Sequence, residues 1–217
     1  MKEKKIYETL GLYVHIPFCR HKCAYCDFYS TDRQGDDGKS DEMKQYCKAL
    51  RYHLRMVSDK VSDYNIDSVV IGGGTPTALC PKLLLSVVNE IKDDYYESEN
   101  MEFTVEMNPA TSDYKTLRRL RRAGVNRISV GLQSADEAEL RALGRIHTKE
   151  EFEESFLQAR DAGFDNINID VMFGIPGQTE SSLLETLSYA VSLSPEHISL
   201  YNLILEEGTP LWRKRAQ

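Results

Sequence analysis

The chain has 217 residues, 41% of them hydrophobic and 28% charged, with a formal net charge of −7. That balance suits one globular domain with a sizeable core, and it leaves no electrostatic footprint for nucleic acid. No run of roughly 18 apolar residues predicts a membrane span, and five cysteines, an odd number with three clustered, argue against a disulfide framework and for a reducing, cytoplasmic setting.

The opening run, Met1-Lys-Glu-Lys-Lys-Ile-Tyr-Glu-Thr-Leu10, holds too short an apolar stretch to read as a signal peptide. A first strand is expected at residues 12–17, and it leads straight into Cys19, Cys23 and Cys26, spaced Cys-x3-Cys-x2-Cys. Thiolates are soft ligands for zinc, copper(I) or iron–sulfur clusters. A structural zinc site wants four closed ligands, whereas a four-iron cluster on three thiolates leaves one iron open. The polar, glycine-bearing segment 31–40 follows as an exposed loop. Further strands are expected at 68–71, 102–106, 127–132, 166–173 and 197–203. Helices fall between them at 42–58, 81–94, 112–123, 136–143, 149–162 and 180–193. Pro81 suits a first helical turn, and Gly124 and Gly163 follow helices as C-terminal caps.

Strand and helix alternate in units of about thirty residues, which indicates an α/β fold with a parallel sheet. Closing an eight-unit barrel typically needs about 250 residues. Six units fit, so the expected fold is a partial (β/α)6, TIM-like barrel of parallel strands with outer helices. Such barrels build their sites at the C-terminal ends of their strands. Here those ends carry the cysteine loop, Gly72-Gly-Gly-Thr-Pro-Thr77, Glu106 with Asn108, Gln133 with Ser134, Asp170, and Tyr201 with Asn202. Glycines 72 to 74 let backbone approach a ligand and expose N–H donors. Glu106, Gln133 and Asp170 supply acceptors for ammonium or ribose hydroxyls, and Arg145 a forked donor for a carboxylate.

The cysteine spacing, Gly-Gly-Gly-Thr-Pro-Thr, Val-Glu-Met-Asn-Pro, Gly-Leu-Gln-Ser, Gly-Arg-Ile-His and Asp-Val-Met-Phe-Gly-Ile-Pro-Gly-Gln-Thr resemble the radical S-adenosylmethionine (SAM) enzymes. More narrowly they resemble the oxygen-independent coproporphyrinogen III oxidase-like proteins, over residues 13–211. The resemblance implies that Cys19, Cys23 and Cys26 hold a [4Fe–4S] cluster whose open iron binds SAM, which is then cleaved reductively. It places Tyr13, Gly73, Gly74, Thr75 and Glu106 along the SAM site, adds Gln133, Arg145 and Asp170, and sets the backbone around Tyr25 against the adenine. Where true coproporphyrinogen oxidases carry a further cysteine this chain has Phe28, and Cys26-Asp-Phe28 looks like the heme chaperone branch. That branch implies heme as a ligand and a heme-acceptor protein as partner; porphyrin oxidation is the alternative, which Phe28 disfavours. By the same resemblance, residues 1–217 form the radical SAM core and lack the family's C-terminal domain.

Plainer readings accompany these. A zinc-stabilised binding module, its site completed by His15 or His21, is the alternative of another class. His15 also fits a role behind the cluster, a heme contact or simple packing. Cys47 aligns with Met43, Leu50 and Leu54 as core, and Cys80 precedes a helix start. Asp170, flanked by Ile169 and Val171, is expected to point away from its neighbours' face. Arg118-Arg-Leu-Arg-Arg122 reads as a solvated helix face anchored by Leu117 and Leu120, and Trp212 as exposed.

Overall fold

The computed structural model describes residues 8–95 and 97–215; most of the opening run, on which the signal-peptide reading rested, lies outside them. Strand β1 (Thr9–Ile16) is followed by a two-residue strand, β2 (Phe18–Cys19), and its partner β3 (Thr31–Asp32). Then come α1 (Asp41–Ser58), β4 (Asn65–Gly73), α2 (Pro81–Asp94), β5 (Glu97–Met107), α3 (Tyr114–Arg122) and β6 (Arg127–Gln133). The chain continues through α4 (Glu137–Ala142), α5 (Lys149–Asp161), β7 (Ile167–Phe173), α6 (Glu180–Ser192), β8 (His197–Asn202) and the short α7 (Pro210–Arg213). The six long strands form one parallel sheet in the order β1-β4-β5-β6-β7-β8. This is the expected (β/α)6 half-barrel. Among the described residues, no helix is long and apolar enough to cross a membrane.

The expected helices form where the sequence supplies their ends. Pro81 opens α2, Asp136 caps α4, and Thr148 with Glu151 makes a capping box on α5. Gly124 and Gly163, with φ of 104° and 94°, end α3 and α5. Core packing lies on one face of the sheet: Ile16, Ile71, Phe103, Val105, Ile128, Ile169 and Val171 are fully buried with Leu84, Leu117, Leu120, Phe152 and Phe156 of the helices. The Arg118–Arg122 stretch is a solvated face docked through Leu117 and Leu120, as expected. Leu120→Ala should therefore cost about 3 kcal/mol, read as a lowered urea midpoint with an unchanged slope.

The opposite, concave face is polar. Register sets Glu106 beside Ser129, Ser129 beside Asn168, and Gly131 beside Asp170, which in turn lies beside Ser199. Asp170 thus sits, as its pattern suggested, on the face away from Ile169 and Val171. Two local expectations change. Segment 31–40 is mostly exposed, but it starts by pairing: Thr31 N–H donates to the Pro17 carbonyl and Arg33 N–H to that of Cys19, both at 2.8 Å. Trp212 is half-buried, with the Arg215 guanidinium 3.4 Å from its ring centre, because α7 docks on the barrel through buried Leu211.

Candidate functional site

Most site residues expected from sequence lie at or just beyond the C-terminal ends of the strands, while Tyr13 and Asp170 stand within β1 and β7. The cysteine loop is tied down on several sides. Ala24 N–H donates to the Leu143 carbonyl at 2.9 Å, and the Ala24 carbonyl accepts from Leu211 N–H at 2.8 Å. Gly144 permits this approach, since a Cβ there would lie 2.9 Å from Ala24 N. Tyr25 packs its ring against Leu143, Met172 and Ile175, and burial raises its phenol pKa. Cys19 is buried, Cys23 and Cys26 are half-buried, and all three are free thiols. Burial pushes Cys26 up, with Cys23 and Cys19 adding to it through their own developing charge.

The glycine turn does its work differently from the expectation. Its N–H groups are already used: Gly73 donates to Glu106 Oε2 at 3.2 Å, Gly74 to the Ile16 carbonyl at 2.8 Å and Thr75 to the Phe18 carbonyl at 2.7 Å. The glycines are required because neighbours press on them. A Cβ on Gly72 would lie 2.6 Å from Glu106 Oε2, and one on Gly74 2.8 Å from the Phe18 carbonyl and 3.0 Å from Cys19 Sγ. The turn is thus a close-packed floor beneath the cysteine loop.

Around it stand the acceptors. Burial raises the Glu106 pKa and nearby Asp170 adds to the shift, while Gly73 N–H, His15 and Arg127 oppose it. Asp170 accepts from Ser129 Oγ at 3.0 Å and Asn168 Nδ2 at 2.7 Å, and burial again raises its pKa above the usual range. Gln133 is buried with φ of 68°, at a bulge where β6 leaves register with β7; a strained backbone here aims its side chain into the site. A carboxylate that binds protons more readily folded than unfolded weakens the fold as pH rises through its folded pKa. Glu106→Gln, whose amide oxygen can still accept from Gly73, should therefore raise the urea midpoint of the metal-free chain at pH 7. The advantage should close as pH falls towards about 4; a wild type more stable than the variant at pH 7 contradicts this.

His15 is engaged on both ring nitrogens. Nε2 lies 2.7 Å from the Tyr29 carbonyl, which can only accept, so Nε2 carries the proton and Nδ1 accepts from Tyr13 OH at 3.0 Å. His21 Nδ1 faces Asp32 at 3.4 Å. His15, one of the two histidines that would close a zinc site, is thus occupied on both nitrogens, whereas His21 Nδ1 is buried without a hydrogen-bond partner. Among the described residues, no three His, Cys, Asp or Glu groups stand close enough together to hold a single metal ion. A multi-iron cluster binds each thiolate to a different iron and needs no such convergence. Three free soft donors on one pinned loop fit that group.

Arg145 and Asn108, both expected from sequence, are joined in the site by His147, Ser129 and Asn168, which were not. Arg145 Nη2 donates to Asn108 Oδ1 at 2.7 Å and to the Gly131 carbonyl at 3.0 Å, and Nη1 reaches Cys23 Sγ at 3.5 Å. Asn108 Nδ2 donates in turn to Thr75 Oγ1 at 2.7 Å, joining the ends of β4 and β5. Buried His147 accepts from Arg145 Nε. Asn168 and Ser129 hold Asp170. Only the Gly-Arg-Ile-His motif offered any signal for His147.

The sequence pattern described as the radical SAM superfamily matches residues 13–190. The chain is 36% identical to the heme chaperone HemW of Haemophilus influenzae over 200 residues, 92% of this chain and 52% of that protein. It is 39% identical to the heme chaperone HemW of Bacillus subtilis over 200 residues, covering 91% and 51% respectively. It spans about half the length of these curated relatives. In structure it resembles coproporphyrinogen III oxidase (HemN) from Escherichia coli, with a TM-score of 0.85, 27% identity, and coverage of 96% of this chain and 47% of that one.

Proposed function

The chain belongs to the radical SAM superfamily, and from that premise we propose that it holds a [4Fe–4S] cluster and SAM and serves as the core of a cytoplasmic heme chaperone, binding heme and passing it to an acceptor protein. The single observation that carries the cluster reading is the pinned loop of three free thiols above the glycine floor. Cys19, Cys23 and Cys26 would hold the cluster. When bound, cluster and SAM supply one-electron reductive chemistry; the protein's part is orientation and exclusion of side reactions.

The chain's own residues set that orientation. With the N–H groups of residues 73 to 75 satisfied, the turn keeps no donor for a carboxylate, and Glu106 beside it is the acceptor that suits an ammonium group. Tyr13, Gly73, Gly74, Thr75 and Glu106 would line the amino-acid head of SAM. Gln133 and Asp170, the latter fixed by Ser129 and Asn168, would accept from ribose hydroxyls. The heme part is supported by the relatives' names and by Phe28, which is 66% exposed beside the triplet where an oxidase would carry a fourth cysteine. Residues 1–217 act in this reading as the radical SAM core.

The test is anaerobic reconstitution of the chain, followed by iron and sulfide analysis, EPR with and without SAM, and a hemin titration followed by absorbance. Expected are a cluster whose EPR signal changes on adding SAM, a hemin-dependent Soret shift, and no conversion of coproporphyrinogen III. One zinc without iron or sulfide would establish the binding-module alternative instead. Conversion of coproporphyrinogen III would make the chain an oxidase.

A further inference from the structure

We propose that His147 is a positioning residue for the cysteine site, acting through Arg145 to hold the guanidinium against Cys23. This rests on the reading that the three thiols carry a cluster. His147 follows α4 in the chain and is 5% exposed. Its Nε2 stands 3.2 Å from the Leu132 carbonyl. A carbonyl only accepts, so Nε2 carries the proton and Nδ1 is left as an acceptor. Nδ1 then takes the Arg145 Nε–H at 3.3 Å.

That bond holds the Nε edge of the guanidinium, which the Tyr25 phenol also contacts. Nη2 is held by Asn108 and the Gly131 carbonyl, and Nη1 is turned towards Cys23 Sγ at 3.5 Å. Gly131 makes room for the arrangement, since a Cβ there would lie 3.2 Å from Nη2 and 2.8 Å from Gln133 Nε2. Burial and the neighbouring Arg145 bring the imidazole pKa down to about 3, so the ring stays neutral and available as an acceptor.

A cationic N–H donor on a cluster thiolate stabilises the more negative, reduced cluster and raises its potential. His147→Phe keeps ring volume and removes the acceptor. The reconstituted His147→Phe chain should keep wild-type iron and sulfide content, while its one-electron reduction becomes about tenfold less favourable, a fall of about 59 mV in an EPR redox titration. His147→Gln, which keeps an acceptor and a donor, should recover most of the shift. Arg145→Ala should lower the potential at least as far, and adding His147→Phe to it should change nothing more, because His147 acts only through Arg145. An unchanged potential in His147→Phe, or a drop that adds to that of Arg145→Ala, overturns the proposal.

Failure of the cluster reading would show separately, as wild-type chain without iron and sulfide. The His147 arrangement is then still decided by ¹⁵N NMR of the imidazole at neutral pH. Protonated Nε2 with bare Nδ1 supports it, and a doubly protonated or Nδ1–H ring refutes it.

Discussion

Replacing Cys19, Cys23 or Cys26 singly with alanine is expected to reduce the iron and sulfide bound after anaerobic reconstitution to below about a tenth of the wild-type level. Two remaining thiolates leave two irons of a four-iron cluster without protein ligands. The loop should survive the loss of metal, because its backbone is held by Leu143, Leu211, Pro17 and the strand pair Phe18–Cys19 with Thr31–Asp32. Far-ultraviolet circular dichroism should therefore match the wild type, separating loss of ligand from loss of fold. Cys47→Ala is the control: Cys47 is 1% exposed in the apolar core, so its removal should lower stability and leave iron content intact. A Cys23→Ala chain that keeps most of its iron would remove the basis of the proposed function.

Gly73→Ala should be the most damaging small substitution in the site. Gly73 has φ of +108°, and a Cβ there would lie 2.5 Å from both Nδ1 and Cε1 of His15. The backbone term alone is about 1–3 kcal/mol. The clash adds to it, because His15 has nowhere to go: Tyr13 and Tyr29 hold its two nitrogens, and its carbonyl accepts from Tyr46 OH at 2.6 Å. Moving His15 would also disturb Gly73 N–H against Glu106, so SAM affinity should fall by on the order of tenfold or more. Gly177→Ala isolates the backbone part, having φ of +84° and nothing within 4 Å of its would-be Cβ. Equal destabilisation in the two variants, with SAM binding unaffected in both, would show that the glycine turn is no floor to the site.

Much of this was legible in the residues. The run of βα units gave the half-barrel because hydrophobic periodicity and helix ends such as Pro81, Gly124 and Gly163 are local properties. Cys47 was placed correctly by helical spacing for the same reason. Glu106 stood out as a carboxylate near the end of its strand, and Asp170 as one flanked by Ile169 and Val171. The glycine turn was located, but its N–H groups are bonded rather than exposed, since a run of glycines is equally compatible with exposed donors and with tight packing; the partners that decide between these, Ile16 and Phe18, sit on or beside a different strand. Asn168 and Ser129 passed unnoticed because a short polar residue inside a strand carries no mark of its own. Its meaning comes from register, which sets Ser129 beside Asn168 on adjoining strands.

The sequence by itself determined the chemistry and its order along the chain: three soft ligands on one loop, small residues after the second strand, and acceptors at the ends of the later strands. Those follow from side-chain type and from patterns contained within single βα units. Only the tertiary structure decided which groups meet. Arg145 reaches Cys23 across 122 residues, and His147 is aimed by a carbonyl on β6. Such contacts depend on strand register and on how the last helix closes over the loop. Both are properties of the whole packed sheet, and no short window of sequence contains them.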